Sequence, residues 1–502
     1  MCQPDATSCS GRGGCNGSRC RLLTHACVFN ATVYHYDEQR SGWQPVHAKI
    51  RIPWNSHHVR SYDELNAQHD VAQPVLAKLF HSAHVLNTSC EPPVAWVPVW
   101  STNYADSFYS SVVPLVEMEA TGLVHAGRRT LLLADSLLKH MHPRCRSESN
   151  GPCHTPSWFR TLLSLVTERF LFTHEVAPRC SAARSTAAGH AAGHAAGLEG
   201  ASGLEACPPP VCYSHAHFCT LRSMFDRPTP NLDVWSSAQR LVAAQLRQSP
   251  KSPMANDSGV VADSSGHEHE AARTVTAAAR TATPRLRILF ERRTAKGMKG
   301  RALGNVDELL ASCSLDGTLE CEAHSFGLEG LAEDMRRVRR ADVLVGLHGA
   351  GLTNAWFMRR RSVLIEVRPY GFDGGWPDSY FRNPIRAVSP PRLYHMALSI
   401  GSPSLCRPDR GFAVTAGEAV MARACDLPWH SLRHALDIVR WWREGSKGTA
   451  DSRYIGGAWA SKNIVAYPPS SRSSSIQRRG GGEASVSVRH GTQDPSTRPG
   501  VS

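Results

Sequence analysis

The sequence predicts an α/β protein, and three observations carry that reading. Asp342 to Leu347 reads Asp-Val-Leu-Val-Gly-Leu, an unbroken apolar run of the kind found in parallel strands covered on both faces. Short strand patterns and amphipathic helix patterns alternate between residues 285 and 443, the order that winds a parallel sheet with helices on either side. The chain has 502 residues, too many for one ordinary core and enough for two or three domains.

Taken in order, Val94 to Trp100 and Leu131 to Ala134 are apolar segments between Pro and Gly breaks and read as short strands. Tyr104 to Glu117 carries apolar and aromatic residues at helical spacing. Arg285 to Phe290 reads as a strand, and Val306 to Cys313 as a helix with Asp307 and Glu308 on its outer face. Gly327 to Arg340 is an amphipathic helix with Leu328, Leu331, Met335 and Val338 on one stripe. His348 to Asn354 is a turn into another helix, and Val363 to Val367 is the next strand. In the last helix, Pro428 to Arg443, one side holds Trp429, Leu432, Ala435, Ile438, Val439 and Trp442, the pattern of a capping helix that ties two lobes together.

Three stretches lack the side chains to fold. Residues 181–206 repeat Ala-Ala-Gly-His, 248–283 are rich in Ser, Ala, Thr and Pro, and 467–502 in Ser, Gly and Arg. Their few large apolar groups cannot offset roughly 1–2 kcal/mol of backbone entropy per residue. His190 and His194 therefore read as low-complexity sequence, not a metal site. The expected layout is a cysteine module at 1–30, a first α/β domain at 31–225 holding the 181–206 insert, and a largely disordered linker at 226–283. A second α/β domain follows at 284–446, then a disordered tail at 447–502.

Five of the 16 cysteines (Cys2, Cys9, Cys15, Cys20 and Cys27) fall within the first 27 residues. Their spacing resembles part of an epidermal-growth-factor-like module. Disulfides are favoured over zinc because no pair has the Cys-x-x-Cys spacing of a zinc ribbon. Five is odd, so the module is cut at its front or uses a sixth cysteine elsewhere. Four Asn-x-Ser/Thr sequons, at Asn16, Asn30, Asn87 and Asn256, add to the case for the secretory pathway. No run reaches the ~18–20 apolar residues of a membrane span, and the start lacks the basic and apolar parts of a signal peptide. Membrane attachment is expected only through an N-terminal anchor missing from this sequence.

The net charge is +13, from 56 basic and 43 acidic residues. Arg336, Arg337, Arg339, Arg340 and Arg359 to Arg361 lie beside helical apolar patterns without the interleaved aromatics of a single-strand nucleic-acid binder. They read as a solvated helix face, and no nucleic-acid partner is expected.

The chemistry concentrates at residues 341–354. A buried strand ends at Leu347, and a small-residue turn opens a helix at its carboxyl end, where ligands of open α/β sheets bind. Unpaired N–H groups and about half a positive charge favour an anion there. Gly349 and Gly351 would let a phosphate approach the backbone beside Ala350 and Leu352, and His348 can donate to a phosphate oxygen; tight helix–sheet packing would call for the same small residues. Arg292 and Arg293 lie just past another strand end, while Arg301 and Asn305 flank a helix start. Guanidinium groups at that edge make a diphosphate clamp, each charge-assisted bond contributing roughly 1.5–3 kcal/mol when sheltered. Glu366 ends the next strand, where it either holds ribose hydroxyls or pairs with Arg368 or Arg292. No Asp-x-Asp triplet, a frequent cation holder on diphosphates, occurs in the chain.

The pattern Arg-x-Leu-x-Asn-x-x-Glu-Leu at 301–309, His-Gly-Ala-Gly-Leu-Thr-Asn at 348–354 and the following Val-Leu-Ile-Glu-Val-Arg-Pro resembles glycosyltransferase family 61. The likeness is carried by 285–370 and is looser over 31–225. It implies a GT-B fold: two Rossmann-like domains facing a cleft, an acceptor-side domain at 31–225 and a donor-binding domain at 284–446. It further implies inverting transfer from a UDP-sugar, carrying GlcNAc or a pentose, to a hydroxyl of a glycoprotein or polysaccharide acceptor in the Golgi or endoplasmic reticulum. Asn103-Tyr-Ala-Asp-Ser-Phe-Tyr is similar to the family stretch that holds the catalytic base, which carries over onto Asp106. Arg292, Arg301, Asn305, His348, Gly349, Ala350, Gly351, Leu352 and Glu366 are then the donor-binding residues. With no cofactor and no metal, the arginines and the helix terminus would stabilise the leaving group. A non-catalytic secreted carbohydrate-binding protein on the same scaffold is the alternative.

Overall fold

A computed structural model describes residues 19–29, 32–39, 41–45, 49–51, 59–61, 73–81, 83, 85–86, 93–96, 104–120, 131–133, 157–167, 170–176, 209–220, 233–248, 285–293, 301–372, 375–388, 392–408, 423–445 and 461–466. The four sequons, the 181–206 insert, residues 249–283 and the tail beyond 466 lie outside them, as do residues 1–18 of the cysteine module.

The amino-terminal half contributes β1 (Arg19–Phe29), β2 (Thr32–Asp37), β3 (Gly42–Pro45), β4 (Lys49–Arg51), β5 (Val59–Ser61), β6 (Val85–Leu86), β7 (Val94–Trp96), β8 (Leu131–Leu133), β9 (Phe170–Phe172) and β10 (Val211–Thr220). Eight form one sheet ordered β3-β2-β1-β10-β7-β8-β9, with β6 beside β10, while β4 and β5 pair with each other. Strands β10, β7, β8 and β9 run parallel, and β1 to β3 extend them antiparallel. The half is thus a mixed sheet and not a plain Rossmann unit.

The boundary expected at residue 30 is corrected. Strand β1 lies inside this sheet, in register with β10 from Arg19 opposite Thr220 to Val28 opposite Val211, and Cys27 forms a disulfide with Cys212, 185 residues away. Ala26 to Phe29 are all buried, so β1 is a core strand, which a free-standing module would not need. The helix Gln73–His81 packs Phe80 against Phe29, Tyr34 and Trp43, with ring centroids 4.5–6.1 Å apart.

The carboxyl-terminal half forms β11 (Leu286–Glu291), β12 (Ala302–Leu303), β13 (Leu319–His324), β14 (Val343–Leu347), β15 (Ser362–Arg368), β16 (Leu393–Ile400), β17 (Cys406–Pro408), β18 (Arg423–Cys425) and β19 (Ser461–Ala466). Six build a parallel sheet ordered β13-β11-β14-β15-β16-β19. Side chains alternate across a strand, and both faces are covered. Leu289, Leu344 and Leu364 enter one core. Ile288, Phe290, Val343, Val345, Val363 and Ile365 enter another beneath the helices Val306–Ser314 and Trp429–Gly445.

The first core crosses the expected domain boundary. It unites Leu289, Leu344 and Leu364 with the helices Tyr104–Ser107 and Val113–Ala120, Ser157–Ser164, Val234–Gln248 and Leu331–Arg340. The described residues accordingly fall in one compact unit, Met1–Tyr467. Two elements overturn the expectation of disorder. Helix Val234–Gln248 lies within the 226–283 linker because Val234, Ala238, Leu241 and Val242 make an apolar stripe that the shared core buries. Strand β19, in the expected tail, pairs with β16 from His395 opposite Ser461 to Ile400 opposite Ala466.

Helix Leu331–Arg340 begins four residues later than its pattern suggests. Gly327 and Gly330 have φ of +83° and +93°, a left-handed backbone that only glycine adopts without cost, and Leu328 is 67% exposed. Helix Trp429–Gly445 does not tie two lobes. Its buried Leu432, Ala435, Leu436 and Val439 join the second core, whose buried members all lie between Leu286 and Val439. Many of the arginines behind the positive charge cluster where helices end, including Arg337, Arg339 and Arg340 in one last turn and Arg386 and Arg443 in two others. Cations there complement the helix dipole, and Arg287, Arg359 and Arg443 share Asp342.

A candidate active site at the carboxyl edge of the parallel sheet

Strand β11 ends at Glu291, and the period of two puts Glu291 and Arg293 on one face, with Arg292 on the other. Arg293 donates from Nε to Glu291 Oε1 at 2.9 Å and from Nη2 to Oε2 at 3.2 Å; Nη2 also donates to the Leu347 carbonyl at 2.8 Å. Both side chains are buried. This pair explains the small-residue turn after β14. A Cβ on Gly349 would lie 2.2 Å from Arg293 Nη2, and one on Gly351 2.0 Å from Glu291 Oε1; Gly346 is likewise closed, at 2.6 Å from Glu291 Oε2. The glycines make room for an internal ion pair, the packing alternative raised by the sequence. Ala350 to Phe357 form a 3-10 helix instead of an α-helix. The Leu352 amide is already committed to the Gly349 carbonyl at 3.1 Å.

His348 is buried and its backbone N–H donates to the Val367 carbonyl. Its Nδ1 lies against Glu366 Oε1. Glu366 is completely buried, and its other oxygen accepts from His395 Nε2 at 2.7 Å and from Arg368 Nε and Nη2 at 3.1 and 2.8 Å. With both oxygens engaged, Glu366 is a hub that fixes His348, in place of the expected ribose holder. Burial opposes its charge, yet the hydrogen bonds from the two histidines hold the carboxyl well below its usual range. Burial lowers the His348 pKa against the pull of Glu366. A neutral imidazole next to a carboxylate donates from Nδ1, which leaves Nε2 with the lone pair.

Arg301 lies beside His348, Glu291 and Arg293. Burial, then Arg293, push its guanidinium down to about 10, still fully charged at neutral pH. Among the described residues it makes no side-chain hydrogen bond or ion pair; only its backbone carbonyl is engaged, by Arg293 Nη1 at 3.3 Å.

Arg292 and Asn305 are elsewhere. Arg292 pairs with the exposed Asp307 on the face of helix Val306–Ser314. Asn305 spends its side chain on the Leu427 backbone, donating to the carbonyl at 3.0 Å and accepting from the N–H at 2.9 Å. It joins the start of that helix to the entry of helix Trp429–Gly445, where a donor-binding role would need an unengaged amide. Arg293 is the arginine on the site face.

Asp106 reaches this edge from 240 residues upstream of Gly346. Residues Ala105 to Val116 are all buried, as expected of a helix apolar all round. Between the two α-helical turns, Phe108–Val112 is a π-helix, a form frequent at functional sites; Pro114, just beyond, has no N–H for the regular ladder. Tyr104 Oη donates to Asn354 Oδ1 at 2.9 Å. Trp356 Nε1 donates to Tyr109 Oη at 2.6 Å, and Tyr109 Oη donates to the Tyr380 carbonyl at 2.5 Å. Tyr380 Oη donates to Asp106 Oδ1 at 3.1 Å. Burial pushes the Asp106 carboxyl up to about 7, with the Tyr380 hydrogen bond pulling the other way. Tyr380 in turn meets the His348 ring edge-on at 5.9 Å.

Asp106, Arg301, His348 and the 349–352 turn are therefore brought together. Sequence reasoning missed Tyr380 altogether, and no spacing signal links it to a partner 274 positions away. Arg293 was legible from strand periodicity.

No curated protein matches the chain. The family model described as Glycosyltransferase 61 matches residues 138–365. That span takes in Arg301 and the His-Gly-Ala-Gly turn and stops one residue short of Glu366, with Asp106 and Tyr380 outside it. The motifs at 301–309 and 348–354 thus fall within a match that runs through both halves, and over residues 138–365 the chain is similar to glycosyltransferase family 61.

Proposed function

We propose that the protein is an inverting glycosyltransferase that moves a sugar, GlcNAc or a pentose, from a UDP-sugar to a hydroxyl of a glycoprotein or polysaccharide. The observation that carries this reading is Arg301: a half-buried, charged guanidinium, without a carboxylate partner among the described residues, next to His348 and one residue, Tyr380, away from a carboxylate with a pKa near neutrality. The nearby Glu291 carboxylate is already bonded to Arg293, so two guanidiniums share one carboxylate, and a leaving diphosphate supplies the balancing negative charge.

In the reaction, the acceptor hydroxyl gives its proton to Asp106 as its oxygen attacks the anomeric carbon from the face opposite the diphosphate. The bond from that carbon to the diphosphate oxygen breaks, and UDP leaves with the electron pair. A base titrating near the working pH suits this transfer. Arg301 stabilises the charge that builds on the leaving oxygens. Glu291 and Arg293 hold the turn, and Glu366 holds His348. Positive charge from these side chains supports transfer without a metal ion.

The disulfides Cys27–Cys212, Cys313–Cys321 and Cys406–Cys425 support an oxidising compartment, here the lumen of the Golgi or endoplasmic reticulum. Among the described residues no helix is long and apolar enough to cross a membrane.

Calorimetry with UDP tests the reading. The wild type binds, and Arg301→Ala loses about 10-fold to 150-fold in affinity, the equivalent of one charge-assisted hydrogen bond. Equal affinity in the two proteins would remove Arg301 from the donor site.

A further inference from the structure

Tyr380 ends the short helix Gly375–Tyr380, and that helix touches both halves of the site. Asp378, two residues earlier, accepts from Arg368 Nη2 at 2.6 Å, and Arg368 is bonded to Glu366, which fixes His348. Arg382, one turn on, holds the second Asp378 oxygen at 3.1 Å. The segment is thereby tied to the donor side through three consecutive contacts, from Asp378 through Arg368 and Glu366 to His348. Its last residue reaches the other way, from Tyr380 Oη to Asp106 Oδ1. The backbone of the same residue is clamped by Tyr109, which stands three positions beyond Asp106 on the π-helical stretch. Tyr380 is thus held at both its carbonyl and its hydroxyl by the element that carries the carboxylate.

We infer that Tyr380 is a positioning residue of the transfer reaction, its hydroxyl orienting the Asp106 carboxylate and the Gly375–Tyr380 helix setting that carboxylate in register with His348. This rests on Asp106 being the base. The hydroxyl is suited to the task for three reasons. It is a neutral donor, so it orients the carboxylate without the strong quenching an arginine would bring. It binds one oxygen and so fixes the plane of the group. And it favours the ionised form, countering the burial that raises the Asp106 pKa. The groups facing Asp106 and Tyr380 from the packed elements are Tyr109, Arg301 and His348, with Glu366 acting on Tyr109.

Tyr380→Phe removes the hydroxyl and keeps the ring contacts with His348, Tyr109 and Phe381. The acidic limb of the kcat/KM pH profile is expected to move up by about one pH unit, the effect of losing one hydrogen bond to a charged group. Turnover at pH 6 then falls about tenfold and recovers in alkaline buffer, while UDP affinity stays within twofold. A purely structural role would lower activity evenly at all pH values. An unmoved limb in a folded variant overturns the inference.

Titration of 13C-labelled aspartate by NMR separates this inference from the reading beneath it. The resonance absent in Asp106→Asn should titrate at a higher pH in Tyr380→Phe, whether or not Asp106 is the base. If that shift occurs but Asp106→Asn still turns over, the base assignment fails while the Tyr380–Asp106 contact stands. No shift in the resonance rejects the role of Tyr380.

Discussion

Substituting Gly351 by alanine tests the account of the small-residue turn most directly. The added Cβ would lie 2.0 Å from Glu291 Oε1 and 3.0 Å from its Cδ, against the 3.4 Å at which ordinary contact begins. One or other group must move by about 1.4 Å, the difference between the two distances. The carboxylate has nowhere to go. Its side chain is 4% exposed and both oxygens bind Arg293, whose side chain is 7% exposed, while Phe326 Cδ2 already stands 3.4 Å from the added Cβ. Displacing Glu291 leaves a buried guanidinium without its partner, a loss of about 3–5 kcal/mol for a buried pair. Urea denaturation should show the midpoint falling accordingly, with Gly317→Ala as control because a Cβ there meets nothing within 4 Å. If Gly351→Ala costs under about 1 kcal/mol, less than an ordinary core defect, the glycine does not serve the ion pair. Should the variant also keep its stability but lose UDP affinity, the phosphate-approach reading of the turn would replace the packing one.

Other consequences are narrower. Arg292→Ala should leave UDP affinity within about twofold, because its exposed pair with Asp307 is a surface contact; a large loss by calorimetry would return Arg292 to the donor site. Glu366→Ala should destabilise the fold by about 3–5 kcal/mol through the stranded Arg368 and two histidines, whereas a ribose holder would lower affinity alone. Asp106 binds its proton more tightly folded than unfolded, since its carboxyl stands at about 7 against 3.8. Its contribution is favourable below the lower value and lost as pH rises through the upper one. Asp106→Asn should therefore abolish turnover yet be more stable than wild type at pH 8 by up to about 4 kcal/mol, with little difference at pH 4, as thermal melts would show. Activity should survive chelator; loss restored by manganese would assign the leaving-group charge to a metal ion.

The sequence by itself determined the parallel sheet of the second half. Runs such as Val343 to Leu347 and Val363 to Ile365 are apolar at every position, a pattern only a strand covered on both faces needs. It also marked the edge where Arg301 and His348 meet, because the turn after a buried strand is a local feature. Local pattern reached no further. Helix Val234–Gln248 and strand β19 sit in stretches too weakly apolar to fold alone, and a neighbouring surface made them worth ordering. The assignments of Arg292, Asn305 and Glu366 turned on which way a side chain points and what already occupies it: Asp307, the Leu427 backbone and a pair of histidines. Only the tertiary structure decided that Tyr380 meets Asp106, since a hydrogen bond across 274 positions leaves no trace in spacing. The glycines mean something different in space as well, for their neighbours are a buried carboxylate and guanidinium that the chain brings in from another strand.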